Sequence, residues 1–251
     1  MNSQQSNLDV ISNNLANVNT IGFKKSRAEF QDLLYQNERA AGAQQGNNAV
    51  VPNGIQVGHG SKLIATPKVF TDGEVVQTDG ELDVAIMGTG FFEVQMPDGS
   101  RAFTRDGAFK KDKDGNIVNS NGLRYQNGFQ PIPSDAKSTT ISADGQFSCS
   151  TSGGVQSFTI QLVRFANPAG LESMGGNLFK ATEASGEPES GNPGDATMGL
   201  GSLSQNHLEM SNVKVVEEMV NMIMAQRAYE INSKSVQSAD EMMQMSNNLK
   251  R

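Results

Sequence analysis

Glycine and proline divide this chain before any other feature is read. All eight prolines lie between Pro52 and Pro193, and neither residue occurs in 1–21 or in 202–251. A glycine inside a helix costs about 1 kcal/mol against alanine and a proline about 3 kcal/mol, so the two clean ends are where helices can run. The interior is punctuated too often for long helices. Asp-Gly recurs at Asp72-Gly73, Asp79-Gly80, Asp98-Gly99, Asp106-Gly107, Asp114-Gly115 and Asp144-Gly145. That dipeptide supplies the positive φ of tight hairpin turns, and the runs LDVAI (82–86), FFEV (91–94) and FTIQLV (158–163) lie beside several copies.

The pattern predicts an α+β chain in which N- and C-terminal helices form a coiled-coil-like assembly domain and enclose a mostly antiparallel β domain. The expected divisions are 1–39 for a first helix and turn, 40–65 for an extended stretch, 66–182 for the β domain, 183–210 for a linker and 211–251 for the last helix. AAGAQQGNNAVVPNGIQVGHG (40–60) is small and amide-rich, whereas TEASGEPESGNPGDATMGLG (182–201) combines Gly, Pro, Ser and acid as flexible linkers do.

Both ends carry one apolar period. Leu8, Ile11, Leu15 and Val18 are spaced 3, 4, 3, and so are Val213, Val216, Val220 and Ile223. This is a coiled-coil seam, or equally an amphipathic helix lying on its own domain. A first helix over about Ser3–Asn19 is marginal in isolation and must dock on something. Between Asp9 and Lys24 it carries no charge. Counting Leu8 as position a puts Asn13, Asn14 and Asn17 off the seam, where amides beside Ala16 suit contact with other helices better than solvent. MVNMIMAQ (219–226) is similarly uncharged, with Asn221 and Gln226 as its polar members. Seven of the twelve methionines fall between Met210 and Met245, a composition suited to packing against irregular neighbours or to filling a core. Gly22 is the expected C′ residue of the first helix, and Ser211 or Asn212 the expected N-cap of the last.

Chemistry is hard to build from what remains. A net charge of −7 argues against a nucleic-acid binder. Cys149 is the only cysteine, so neither a disulfide within the chain nor a Cys-rich zinc site is available. No segment is apolar enough for a membrane span, and MNSQQSNLDV shows no cleavable signal peptide. DKDGN (112–116) has its glycine at the wrong position for a calcium loop and reads as a hairpin turn. Gly58-His59-Gly60 and Gly199-Leu200-Gly201 lack the third glycine of a dinucleotide loop. His59 and His207 each stand near a linker, and Asp79, Glu81 and Asp83 alternate as a solvated strand face does. No catalytic residue, cofactor or metal ligand is assigned.

SNLDVISNNLANVNTIGFKKSRAEFQDLLYQ (6–36) closely resembles the N-terminal signature of the bacterial flagellar rod and hook proteins. SNVKVVEEMVNMIMAQRAYEINSKSVQSADEMM (211–243) resembles their C-terminal signature, and LDVAIMGTGFFEVQMPDGSRAFTRDGAF (82–109) looks like their β domain. Length, a single β domain, LLYQ (33–36) and PNGIQVGHG (52–60) are most similar to the distal-rod branch of that family. The resemblance implies a helical, hollow drive shaft built from copies of the chain, lying between proximal rod proteins and hook protein and inside the P and L rings. It also implies delivery by the flagellar type III export apparatus. Subunit contacts are then expected at the two seams, at Asn13, Asn14, Ala16 and Asn17, and at Gly22, Phe23, Gln226 and Tyr229. Residues 40–60 would pack between neighbouring subunits and stiffen the shaft. Family members usually carry further apolar helix ahead of the position matching Met1. Proximal rod and short hook subunits are the near alternatives, and an adhesin with a coiled-coil stalk is the alternative of another class.

Overall fold

The computed structural model describes residues 2–39, 44–45, 49–50, 53–151 and 153–249. Of the stretch 40–60, residues 40–43, 46–48 and 51–52 therefore lie outside the described residues. The chain forms two compact units, one of residues 1–13, 26–67 and 216–251, the other of 14–25 and 68–215.

The larger unit is built of short antiparallel strands. Seven form one sheet in the order Lys110–Lys111, Ile117–Val118, Arg124–Tyr125, Phe92–Gln95, Arg101–Thr104, Leu178–Lys180 and Glu172–Gly175. Ser138–Ile141, Gln146–Thr151 and Gly154–Thr159 make a second sheet. Two early strands find their partners late in the chain: Val84–Met87 pairs with Ser202–Gln205, and Val75–Gln77 with His207–Glu209. The core gathers the inward residues of these strands, among them Val84, Ile86, Phe92, Val94, Phe147, Ile160 and Leu162. Phe109 meets the rings of Phe92, Tyr125 and Phe129 edge-on or tilted, with centroids 5.0, 4.5 and 5.1 Å away. A second cluster forms around Phe91, Phe103, Phe165 and Phe179.

Asp-Gly serves two different purposes here. Gly99, Gly115 and Gly145 have φ near +80° and close tight turns, DKDGN among them. Gly73 and Gly107 instead admit close backbone approach: a Cβ there would stand 2.0 Å from the Met210 carbonyl oxygen and 1.7 Å from that of Val84. FTIQLV divides between two strands, Gly154–Thr159 and Leu162–Arg164.

The smaller unit contains three two-stranded ribbons, Glu29–Asp32 with Ser61–Ala65, Tyr35–Arg39 with Ile55–Gly58, and Gln44–Gln45 with Ala49–Val50. Tyr35 lies over Gly58, where a Cβ would come within 3.1 Å of its ring. The Ser3 hydroxyl donates to the Ser61 carbonyl at 2.7 Å, fixing the start of the first helix to a strand of the same unit.

The expected coiled-coil-like assembly domain of two terminal helices is not what forms. The first helix, α1, spans only Asn2–Ala16, and the chain then returns in antiparallel strands. The second, α2, runs from Val215 to Leu249, but its seam is not buried: Val216, Val220 and Ile223 are 74, 50 and 56% exposed. Its buried residues are Glu218 and Ala225. Each lies two positions beyond a seam residue, about 200° around a helix that turns about 100° per residue. The 3, 4, 3 period is real, but it marks the outward face. The architecture is accordingly mostly β, with a short N-terminal and a long C-terminal helix.

Two capping assignments change as well. α1 ends at Ala16, so Gly22 is not its C′ residue. Successive turns carry the chain from Asn14 to Phe23, and the Thr20 hydroxyl donates to Asn17 Oδ1. Because α2 begins at Val215, neither Ser211 nor Asn212 adjoins its first residue.

Candidate assembly surfaces and a buried ion cluster

The residues expected at subunit contacts separate into two groups. Ile11, Asn14, Gly22, Phe23 and Val213 are buried within the protomer, and Leu8, Leu15, Asn17 and Val18 are half-buried. Asn13, Ala16, Val216, Val220, Ile223, Gln226 and Tyr229 are exposed. Asn13, Asn14 and Asn17 each have a partner inside the chain.

The outer face of α2 is apolar over much of its length. Besides the seam it exposes Met219, Met224, Ile231, Met242 and Met245, and Val236 and Met243 are exposed on the opposite side of the helix. In the ribbons of the same unit, Phe30, Leu34, Tyr35, Ile55, Val57 and Ile64 are also exposed. Isolated two-stranded ribbons are marginal in water, and soluble monomers rarely present apolar surface on this scale.

Gly22 and Phe23, two of the residues expected at subunit contacts, lie in a segment, 21–25, that packs within the β unit. Gly22 has a φ of +67°, and a Cβ there would meet the Arg105 carbonyl carbon and the Asp106 nitrogen at 2.9 Å. Its N–H donates to the Glu209 carbonyl at 2.8 Å. The Asn177 amide donates to the Ile21 carbonyl at 2.7 Å. Phe23 lies beneath the Lys68 ammonium, 4.4 Å from its ring centre, a cation–π contact.

Beside Phe23 is the buried ion cluster. The Lys24 ammonium donates to Glu209 Oε1 and to the Thr71 carbonyl, both at 2.6 Å. Arg105 donates through Nε to Glu209 Oε2 at 2.9 Å. Its remaining nitrogens reach the carbonyls of Gly88, Gly90 and Ile86 at 2.9, 3.2 and 3.4 Å, and Asp72 at 3.4 Å. The Gly73 N–H donates to Glu209 Oε1 at 2.9 Å. The side chains of Lys24, Arg105 and Glu209 are at most 2% exposed. Burial pushes the Glu209 carboxyl up, but Arg105 and Lys24 together outweigh it and hold the group below its usual range. The Lys24 ammonium is lowered, first by burial and then by Arg105, against the pull of Glu209. The two shifts agree once Glu209 is seen to serve two cations while each cation repels the other.

No catalytic arrangement accompanies this cluster, whose donors and acceptors face one another. The Asp83 carboxylate accepts from the Thr78 hydroxyl, and His207 Nδ1 lies 2.7 Å from the Gln205 carbonyl. Among the described residues, no group of three or more His, Cys, Asp or Glu is placed to hold a metal ion. No helix there is long and apolar enough to cross a membrane. Lys24, Arg105 and Glu209 were not singled out from the sequence, and Asn212 only as an N-cap candidate. The only trace of the first is its place at the end of the uncharged run, and nothing local joins it to a residue 185 positions away.

Three family models match the chain: Flagella basal body rod protein over 1–24, Flagellar hook protein FlgE/F/G D1 domain over 85–149, and Flagellar basal body rod FlgEFG protein C-terminal over 204–249. The chain belongs to the bacterial flagellar rod and hook protein family, as a structural subunit of the basal-body rod. Among its relatives is the flagellar basal-body rod protein FlgG of Borreliella burgdorferi, 48% identical over all of this chain and 96% of that protein. The proteins of the same name from Agrobacterium fabrum and Bacillus subtilis are 45% and 40% identical, again over all of this chain and 96% of each. Membership in this family implies self-assembly into the basal-body rod together with other flagellar proteins.

Proposed function

We propose that the chain is a distal rod subunit whose copies stack helically into a hollow shaft that carries torque from motor to hook. The observation that carries this reading is the uncovered apolar face of α2 together with the exposed ribbons of the same unit. Burying large apolar side chains gains about 1.5–3 kcal/mol each, so contact between copies along these faces is strongly favoured. Val216, Val220, Ile223, Gln226 and Tyr229 belong to that contact, as do the outward positions Asn13 and Ala16. Of the expected packing stretch 40–65, the described residues 53–65 lie between neighbouring subunits. The near-complete coverage of rod proteins named FlgG supports the distal position. At its ends the shaft adjoins proximal rod proteins and hook protein, and the P and L rings surround it where it crosses the periplasm to the outer membrane. Subunits arrive through the flagellar export apparatus and perform no chemistry.

The combined substitution Val220→Asp and Ile223→Asp tests the reading. Both side chains are exposed in the protomer, so its unfolding midpoint should move by no more than about 0.5 kcal/mol in equivalent stability. Cells carrying the variant should lack rods and should not swim. Straight, complete rods built from the doubly substituted chain would refute the assignment.

A further inference from the structure

The chain passes between its two units after Asn13, Lys25, Pro67 and Val215. Three of these crossings, those at Lys25, Pro67 and Val215, begin or end in segments that one side chain holds together. Asn212 Oδ1 accepts the N–H of Lys25 at 2.8 Å. Its amide nitrogen donates to the Val69 carbonyl at 2.8 Å and to the Thr71 hydroxyl and carbonyl at 2.9 and 3.2 Å. Lys25 is the last residue of the larger unit before the first of these crossings, Val69 the second after the chain returns, and Asn212 stands three residues before the final exit. The Val69 N–H donates back to the Lys25 carbonyl at 2.9 Å, and the Lys68 ammonium to the Lys24 carbonyl at 3.1 Å. Directly beside them, Lys24 joins Glu209 and the Thr71 carbonyl. Every one of these groups belongs to the β unit.

We propose that residues 21–25, 68–73 and 209–213 form a clamp that gathers three of the four chain crossings at one point, with Asn212 as its positioning residue. A β unit held by separate strands at separate points could twist about each of them. Gathering three crossings on one amide, backed by a buried ion cluster, makes them move as one piece. Load entering the β unit through any of the three is then shared by the other two. The mechanical consequence rests on the rod reading, whereas the clamp itself can be measured without it.

The experiment uses the full chain with Asn212→Leu, which keeps the bulk and removes all four hydrogen bonds, and with Asn212→Asp, which keeps only the acceptor toward Lys25. Residue-resolved hydrogen exchange on the soluble protein should show the Lys25 and Val69 amides exchanging at least tenfold faster in Asn212→Leu, with a smaller rise in Asn212→Asp. The strands Phe92–Gln95 and Arg101–Thr104 should keep their protection. Rods isolated from cells carrying either variant should assemble but appear curved in electron micrographs. Unchanged exchange in both variants would overturn the clamp. Raised exchange with rods as straight as the parent's would overturn its mechanical role. Absence of the parent chain from isolated basal bodies would defeat the rod reading and the mechanical role with it, while the exchange rates would still decide the clamp.

Discussion

Glu209→Gln isolates the charge of the buried cluster. The amide has the shape of the carboxylate, and its oxygen in the Oε1 position still accepts from Lys24 and the Gly73 N–H, so the change removes the negative charge and turns an NH2 toward Arg105 Nε. Lys24, with a side chain 0% exposed, then keeps two neutral oxygens but no counter-charge at position 209, and Arg105 keeps three carbonyls and the half-exposed Asp72. Removing one partner of a buried ion pair costs about 3–5 kcal/mol because the remaining charge stays desolvated. For a domain of this size each kcal/mol moves the melting midpoint by about 2–4 °C, so a fall on the order of 10 °C is expected. Thermal and urea unfolding of the full chain, followed by circular dichroism, would measure it. Lys24→Met should cost less, because Glu209 keeps Arg105 and the Gly73 N–H. Lys24→Met combined with Glu209→Gln should be more stable than Glu209→Gln alone, giving a coupling of at least about 1 kcal/mol in the double-mutant cycle. A Glu209→Gln midpoint within a degree or two of the parent would refute the argument, and so would a double variant no better than the single one.

The same carboxylate makes the β unit sensitive to acid. Its folded value lies below the usual range, so the folded chain binds this proton less readily than the unfolded chain. Its contribution is complete above the unfolded value of about 4.3 and is lost as pH falls through the folded value. Melting from pH 7 to pH 3 should therefore show the parent losing stability below about pH 4.3, with a shallower loss in Glu209→Gln. Gly22→Ala meets both a left-handed backbone and the Arg105–Asp106 backbone at 2.9 Å, so it should cost about 2–3 kcal/mol in urea unfolding. A neutral result there would mean that the 21–25 segment docks loosely.

Where the sequence was legible, one local cause sufficed. The glycine- and proline-free ends contain the two helices, and VAIM and FEVQ form strands at or near the apolar runs that suggested them. Asp98-Gly99 and Asp114-Gly115 turn the chain as that dipeptide does. The failures have a shared origin in pairing over distance. Asp72-Gly73 and Asp106-Gly107 look like the other Asp-Gly pairs, but their glycines are required by strands that arrive from elsewhere in the chain. The 3, 4, 3 spacing marks residues that share a face of α2, but a period alone does not say whether the protomer or a neighbour covers that face. Val213 is buried at the edge of that seam while Val216 is the most exposed of its valines. Exchange of partner strands between residues 75–87 and 202–209 leaves no sequence signal at all, since each strand is only three or four residues long.

The choice of buried charge at positions 24, 105 and 209 follows from what this part of the chain must specify. Apolar side chains of similar volume would avoid the desolvation cost and often stabilise a fold as well or better. Stability alone therefore does not account for the ions. An apolar contact, however, tolerates sliding, and segments 21–25, 69–73 and 209–213 are largely irregular or only briefly strand-like, with little ladder to fix their register. Arg105 has a planar, directional fork. It fastens the 86–90 loop and Glu209 in one geometry, and Glu209 in turn admits Lys24 and the Gly73 N–H on its other oxygen. A one-residue slip of any segment would leave a buried charge without its partner, a penalty that an apolar cluster would not impose. In a subunit whose value lies in transmitting force without yielding, the cluster penalises misregister more than it adds to stability.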